Sequence, residues 1–152
     1  MSNTLNDEVK LRRMTRTDID EVLVLCKKVG GRQSHISYRD LVAMDPGGPL
    51  DMSLVAKQKG KITGFLLARL AYVYVPVTEI CMIQSLVVDP EHQGKGLGTM
   101  LVNELLDNCH LNEIQTIRAL VDEHDSDLRT FVENLGFRRS RILNYDKNIN
   151  IE

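Results

Sequence analysis

Hydrophobic and polar residues change rhythm several times along this chain, and each change predicts an element. From Val9 to Met14, Val9, Leu11 and Arg13 alternate with Lys10, Arg12 and Met14, which predicts a short first strand. Ile19, Val22, Leu23, Leu25 and Cys26 then recur at helical spacing. Thr17 is the expected cap, Asp18, Asp20 and Glu21 suit the positive end of the helix, and Lys27 and Lys28 suit its negative end before Gly30-Gly31 stops it. Ser37 with Asp40 predicts a second, shorter helix to about Met44, and Asp45-Pro46-Gly47-Gly48-Pro49 a loop. Ser53–Gln58 and Ile62–Ala71 flank a hairpin turn at Lys59-Gly60-Lys61. Tyr72 to Val77 extends the second of these strands until Pro76 interrupts it. Glu79 to Val88 is a further strand, ended by Asp89-Pro90.

From Leu97 the helical period returns through Met100, Leu101, Leu105 and Cys109. Thr116 to Val121 predicts a strand. Ser126 or Asp125 caps a helix with Leu128, Phe131, Val132 and Leu135 on its apolar face, stopped by Gly136, and Arg138 to Ile149 predicts one or two closing strands. A meander thus precedes a β-α-β-α-β run, an order that predicts a mixed α/β (α+β) fold with helices on both faces of one sheet. No linker or repeat divides the chain, so residues 1–8 are expected to be a flexible tail and residues 9–152 a single domain.

Composition narrows the function classes. The 152 residues carry 19 basic and 21 acidic side chains, a formal charge of -2, and general duplex binding would call for a strongly basic chain. No apolar run is long enough to span a membrane, and the polar N-terminus lacks a signal pattern, so the expected location is the cytoplasm. Cys26, Cys81 and Cys109 have neither disulfide nor zinc spacing and read as buried thiols. The four histidines lack ligand spacing, and no metal is implied.

The candidate chemistry lies in Leu86-Val87-Val88-Asp89-Pro90-Glu91-His92-Gln93-Gly94-Lys95-Gly96-Leu97-Gly98-Thr99. A strand ends, glycines permit sharp turns and close approach, and a helix begins with N–H groups that have no internal acceptor. This is the composition of a phosphate cradle. The dinucleotide and P-loop spacings both fail, because Thr99 stands where the first needs glycine and Gly96 where the second needs Ser or Thr. Gln-x-x-Gly-x-Gly, from Gln93 to Gly98, resembles the signature of the GNAT superfamily of acyl-CoA-dependent N-acyltransferases, and Leu135-Gly136-Phe137 is similar to that family's second signature. The resemblance covers nearly the whole chain.

The resemblance implies a mostly antiparallel sheet and acetyl-CoA as co-substrate. Backbone groups of Leu86, Val87 and Val88 would pair with the pantetheine arm, amides from Gln93 to Thr99 would hold the pyrophosphate, and an N–H near Val88 would polarise the thioester. The Gln93 side chain and Lys95 either add contacts or, for Lys95, stay solvated. Asp125 stands where relatives often carry Asn and suits a helix cap better than a phosphate contact. Val132 occupies the position of the family's usual Tyr acid, and Met82 and Gln84 those of its usual base, so neither role is filled there. Glu79 and His124 are the candidate bases. Glu79 shares strand parity with Cys81 and Ile83, and a bulge would reverse that parity downstream. His35 and Tyr38 fall where relatives shape the acceptor pocket, while His92 and His110 read as surface residues. Arg138, Arg139 and Arg141 suit either a 3′-phosphate, an acidic acceptor or a solvated strand face. The function implied is acetyl transfer to a primary amine, of a small molecule or a protein, by direct attack; the alternative is a non-catalytic acyl-CoA-binding sensor. Tyr72 to Val77 would either pair with a partner chain or line the acceptor pocket, and the habits of relatives point to a homodimer.

Overall fold

The computed structural model describes residues 8–72 and 79–150. These divide into two compact units, one ending at Leu120 and the other beginning at Val121. In the first, β1 (Lys10–Arg13), β2 (Leu54–Gln58), β3 (Lys61–Tyr72), β4 (Glu79–Val88) and β5 (Ile117–Ala119) form one sheet in sequence order. All neighbours are antiparallel except β4 and β5, which are parallel. Antiparallel neighbours can be joined by tight turns, whereas the parallel step needs a crossover, here the helix α3 (Leu97–Leu111). Lys59 and Gly60 turn the β2–β3 hairpin, both at positive φ (53° and 76°), as a two-residue turn matched to strand twist requires.

Helices cover both faces of this sheet. On one, Ile19, Val22, Leu25 and Cys26 of α1 (Ile19–Val29) and Leu41 of α2 (Tyr38–Ala43) are buried with Val55, Phe65, Leu67 and Val87. On the other, Gly64 meets α3: a Cβ there would lie 3.2 Å from Leu97 Cδ2 and 3.4 Å from Leu101 Cδ1. Two bulges set which residue faces which helix. Thr63 has no partner in β2, so Ile62 joins the α1 side while Gly64 turns to α3. Gln84 has no partner in β3, since Ser85 pairs with Leu67 and Ile83 with Ala68. Cys81 of β4 and Cys109 of α3 are buried against each other, and their mutual hydrogen bond, with burial, pushes the Cys81 thiol up. Cys26 is likewise a buried free thiol.

The first helix starts differently from the sequence expectation. Thr15 rather than Thr17 opens it, and a 3-10 turn over Arg16–Asp18 precedes α1. Asp18 Oδ2 accepts from the Thr15 N–H at 2.8 Å, and the Arg12 fork donates to both Asp18 oxygens at 2.8 Å. A charged bidentate pair outweighs a neutral hydroxyl cap, so the chain turns where Arg12 can reach. Before α2, Ser37 and Asp40 form the expected reciprocal cap, at 2.8 and 3.1 Å.

In the second unit, Asp125 caps α4 (Ser126–Asn134) by accepting from the Leu128 N–H at 3.1 Å. Gly136, at φ 93°, ends it; Gly136 N–H donates to Glu133 O and Phe137 N–H to Val132 O, a glycine-terminated helix stop. The closing strands expected over Arg138 to Ile149 are not formed: residues 138–150 have no ladder and are exposed. Ile142 and Leu143 are adjacent and would point to opposite faces of a strand, and the surrounding Arg, Asn, Asp and Lys residues leave neither face apolar. Of the expected extension Tyr72–Val77, Tyr72 closes β3, and residues 73–78 lie outside the described residues, as do 1–7 of the expected tail.

Arg12 hydrogen bonds hold the Asp18 carboxyl below the usual carboxylate range, against the opposing effect of burial. Its folded pKa is therefore depressed, and the stabilisation is present above the unfolded value and lost as pH falls through the folded one. Asp18→Ala should cost about 1–2 kcal/mol in urea unfolding at neutral pH, discounted for the half-exposed Arg12, and progressively less as pH falls through the depressed folded value. A cost that does not change with pH would contradict the ion-pair account.

Candidate active site

The β4–β5 ladder stops at Ile83 opposite Ala119, yet β4 continues from Gln84 to Val88. Along that stretch only β3 pairs with it among the described residues. The Asp89 N–H donates to Thr63 O at 2.8 Å, and the Val87 carbonyl lies 3.1 Å from where a Gly64 Cβ would sit. Both peptide groups therefore turn toward β3. Backbone groups alternate between edges, so those of Leu86 and Val88 turn to the free edge. There the Gln93 side-chain N–H donates to the Val88 carbonyl at 3.2 Å, tying the loop back to the strand. Of the three residues singled out in the sequence, Leu86 and Val88 thus present the edge. Val87 does not: pairing with Phe65 turns its peptide inward, and its side chain is buried under α1.

Beyond β4, Asp89 caps a 3-10 turn over Pro90–His92, and the exposed segment Gln93–Gly96 leads to α3. Gly94 and Gly96 adopt φ of 79° and 78°, a conformation that favours glycine. Gly96 stands at the N-cap without a side-chain cap, and no acidic residue occupies the first turn. The first helical bond from this end is Met100 N–H to Gly96 O at 2.9 Å, so the amides of Leu97, Gly98 and Thr99 have no acceptor within the helix. A Cβ on Gly94 or Gly96 would meet nothing within 4 Å, so the front of the loop is open. Open space, free amides and a positive helix end fit an anionic group such as a pyrophosphate.

The loop is held from behind by residues that the sequence did not single out. Asp89, 7% exposed, accepts from the Glu91 N–H at 3.0 Å and from Lys28 Nζ at 2.9 Å; Lys28 also lies 3.2 Å from Glu91 Oε2. Burial works against the Asp89 charge, but the Glu91 N–H and Lys28 hold its carboxyl below the usual range. His92, expected at the surface, is half-buried, with Nδ1 enclosed 3.8 Å from Asp89 Oδ2, because the 3-10 turn folds it back onto the strand end. His110 is exposed as expected. Lys28 and Asp89 are 61 positions apart, and no local pattern pairs them.

The candidate acid and base residues are dispersed. Glu79 stands at the opposite end of β4 from Val88, about 30 Å away at ordinary strand rise. The bulge at Gln84 puts Leu86 and Val88 on the face Glu79 shares with Cys81, while Met82 keeps the other. Glu79 accepts a hydrogen bond from the Tyr72 hydroxyl, which, with its charge, pushes the Tyr72 phenol up. His35 and Tyr38 are exposed on the first unit. His124 belongs to the second; it is exposed and lies 3.6 Å from Glu123 Oε1. Val132 is half-buried on α4, and Arg138, Arg139, Arg141 and Tyr145 are exposed in the segment after it. Among the described residues, no cluster of three or more His, Cys, Asp or Glu side chains is placed to hold a metal ion, and no helix is long and apolar enough to cross a membrane.

Comparison with known proteins agrees with this geometry. Over 144 residues the chain is 22% identical to an uncharacterized N-acetyltransferase of Methanocaldococcus jannaschii, a match that covers 88% of this chain and 62% of that protein's length. Its fold is similar to that of an alanine N-acetyltransferase acting on a ribosomal protein in Escherichia coli, with a TM-score of 0.74 at 19% identity over 88% of this chain and 79% of the other. It is also similar to the aminoglycoside N-acetyltransferase AAC(6′)-Iy in complex with CoA, with a TM-score of 0.78 at 16% identity over 94% and 97%. Identities this low speak to the fold. Residues 19–137, from the start of α1 through the strand, glycine loop and α3 to the Gly136-Phe137 helix stop, match the model of one family, and the chain belongs to the acetyltransferase (GNAT) family.

Proposed function

We propose that residues 9–152 constitute an acetyl-CoA-dependent N-acetyltransferase that acetylates a primary amine by direct attack. One observation carries this reading: the free backbone edge of β4 runs straight into an open glycine loop and an uncapped helix start. An extended amide chain ending in a pyrophosphate matches that sequence of features. Leu86 and Val88 would pair with the pantetheine arm as a further strand, and amides from Gln93, Gly94, Lys95, Gly96, Leu97, Gly98 and Thr99 would receive the phosphates, with the Lys95 ammonium in solvent reach.

Acetyl-CoA supplies an activated thioester. A backbone N–H near Val88 on the free edge would donate to the thioester oxygen as negative charge develops there. The amine lone pair attacks the carbonyl carbon, the C–S bond breaks, and the thiolate leaves with its electron pair. His124 would take the ammonium proton, directly or through water, and Glu79, at the far end of β4, only through a relay of waters. Val132 has no proton to give, so the thiolate would be protonated by water or by Tyr145, or by Tyr72 through the same relay, since it pairs with Glu79. The acceptor would be a small-molecule or protein amine, and the chain would act in the cytoplasm as a homodimer, for which the exposed ring of Tyr72 offers apolar surface. The lack of a titratable group at Val132, Met82 and Gln84 favours a second reading, a non-catalytic acyl-CoA-binding module.

Mass spectrometry of the purified protein should reveal CoA or acetyl-CoA, and calorimetry should give saturable binding; no binding of any CoA ester would overturn both readings. Gly96→Val should weaken CoA binding about tenfold or more, and should cost about 1–2 kcal/mol of stability because φ is positive there. Unchanged affinity in the folded variant would remove the cradle assignment. With an acceptor found, Glu79→Gln or His124→Gln should lower turnover about a hundredfold at saturating acetyl-CoA if that residue is the base. Losses below about threefold for both, at intact cofactor affinity, would exclude them. Sedimentation at micromolar concentration tests the dimer.

A further inference from the structure

We propose that Lys28 is a positioning residue for the anion-binding loop, acting through Asp89 and Glu91; this rests on the reading of Gln93–Thr99 as a pyrophosphate cradle. Asp89 is the hinge on which the loop is hung. Its N–H donates to Thr63 O at 2.8 Å, its carbonyl accepts from the His92 N–H at 2.8 Å, and its two carboxylate oxygens accept from Glu91 N–H and Lys28 Nζ. Only a short side chain with acceptors on both branches can make this set, and Asp makes it best when ionised.

The arrangement carries an electrostatic conflict. It places a buried carboxylate at the foot of a loop read as binding polyanions, and Glu91 adds a second carboxylate two positions on. Both would repel phosphate, the more strongly the lower the ionic strength. Lys28, from the C-terminal turn of α1, lies 2.9 Å from one and 3.2 Å from the other and offsets both. The same cation also serves the negative end of α1. Lys28 therefore lets the loop keep the geometry that Asp89 imposes without the negative field that Asp89 and Glu91 bring. It touches no phosphate; its effect on the ligand passes through the two carboxylates and through the position of the Pro90–His92 turn.

The test compares CoA with pantetheine, which lacks phosphate, by calorimetry and NMR titration at low and high salt. Wild-type protein should bind CoA. Lys28→Met should weaken CoA about tenfold at low ionic strength, less in high salt, and pantetheine by less than about twofold. Lys28→Arg should stay near wild type. Adding Glu91→Gln to Lys28→Met should recover part of the loss, and Glu91→Gln alone, at an exposed side chain, should tighten CoA about two- to threefold; this variant decides the matter if Lys28→Met does not fold. Equal losses for CoA and pantetheine, no recovery in the double variant, or unchanged CoA affinity in Glu91→Gln would overturn the role given to Lys28. Wild-type protein that binds no CoA would instead overturn the cradle reading, and this inference with it.

Discussion

The early end of the β4–β5 ladder is the constraint on which the site depends. A strand with partners on both sides has no backbone groups to offer, and β4 is such a strand from Cys81 to Ile83. The bulge at Gln84 follows immediately, and from there the strand keeps only β3 beside it among the described residues. The backbone groups of Leu86 and Val88 thereby face an edge that is unpaired among the described residues, backed by a sheet and covered on both faces by helices. An exposed edge is ordinarily a hazard for aggregation. Here it is short, bent by a bulge, and partly occupied by the Gln93 amide.

A site for anions must be rigid behind and empty in front, and the segment from Asp89 to Gly96, proposed as such a site, has both properties. Asp89 fixes the rear with bonds to β3, to its own turn and to α1. Gly94 and Gly96 leave the front without side chains. The rear uses a carboxylate because no neutral side chain of that length accepts on both branches, and that choice puts negative charge beside the proposed anion site. In the role proposed for it, Lys28 offsets that charge, so that α1 would serve the loop as well as the core.

The two faces of the sheet show the same economy of position. Gly64 admits Leu97 and Leu101 closely enough to seat the first turn of α3, which sets where the free amides stand. The bulge at Thr63 lets Ile62 serve the α1 face one step away. It also leaves the Thr63 hydroxyl buried without a hydrogen-bond partner, a polar atom that costs stability unless water reaches it.

Periodicity and turn chemistry determined most of the elements by local physics alone. The hairpin at Lys59-Gly60, the strand Glu79–Val88, the helix from Leu97 and the Asp125 and Ser37 caps follow from residues within a few positions of one another. The glycine spacing after Val88 pointed to the loop for the same reason. Local physics failed where a distant partner or the lack of one decided. Arg12 moved the start of the first helix from Thr17 to Thr15, and Lys28 turned a strand terminator into the hinge of the loop. Arg138 to Ile149 forms no strand, because its few apolar residues make no apolar face and no sheet edge in its own unit takes it up. Which of Leu86, Val87 and Val88 faces the free edge was fixed by register with β3, and register belongs to the paired strands rather than to either sequence alone.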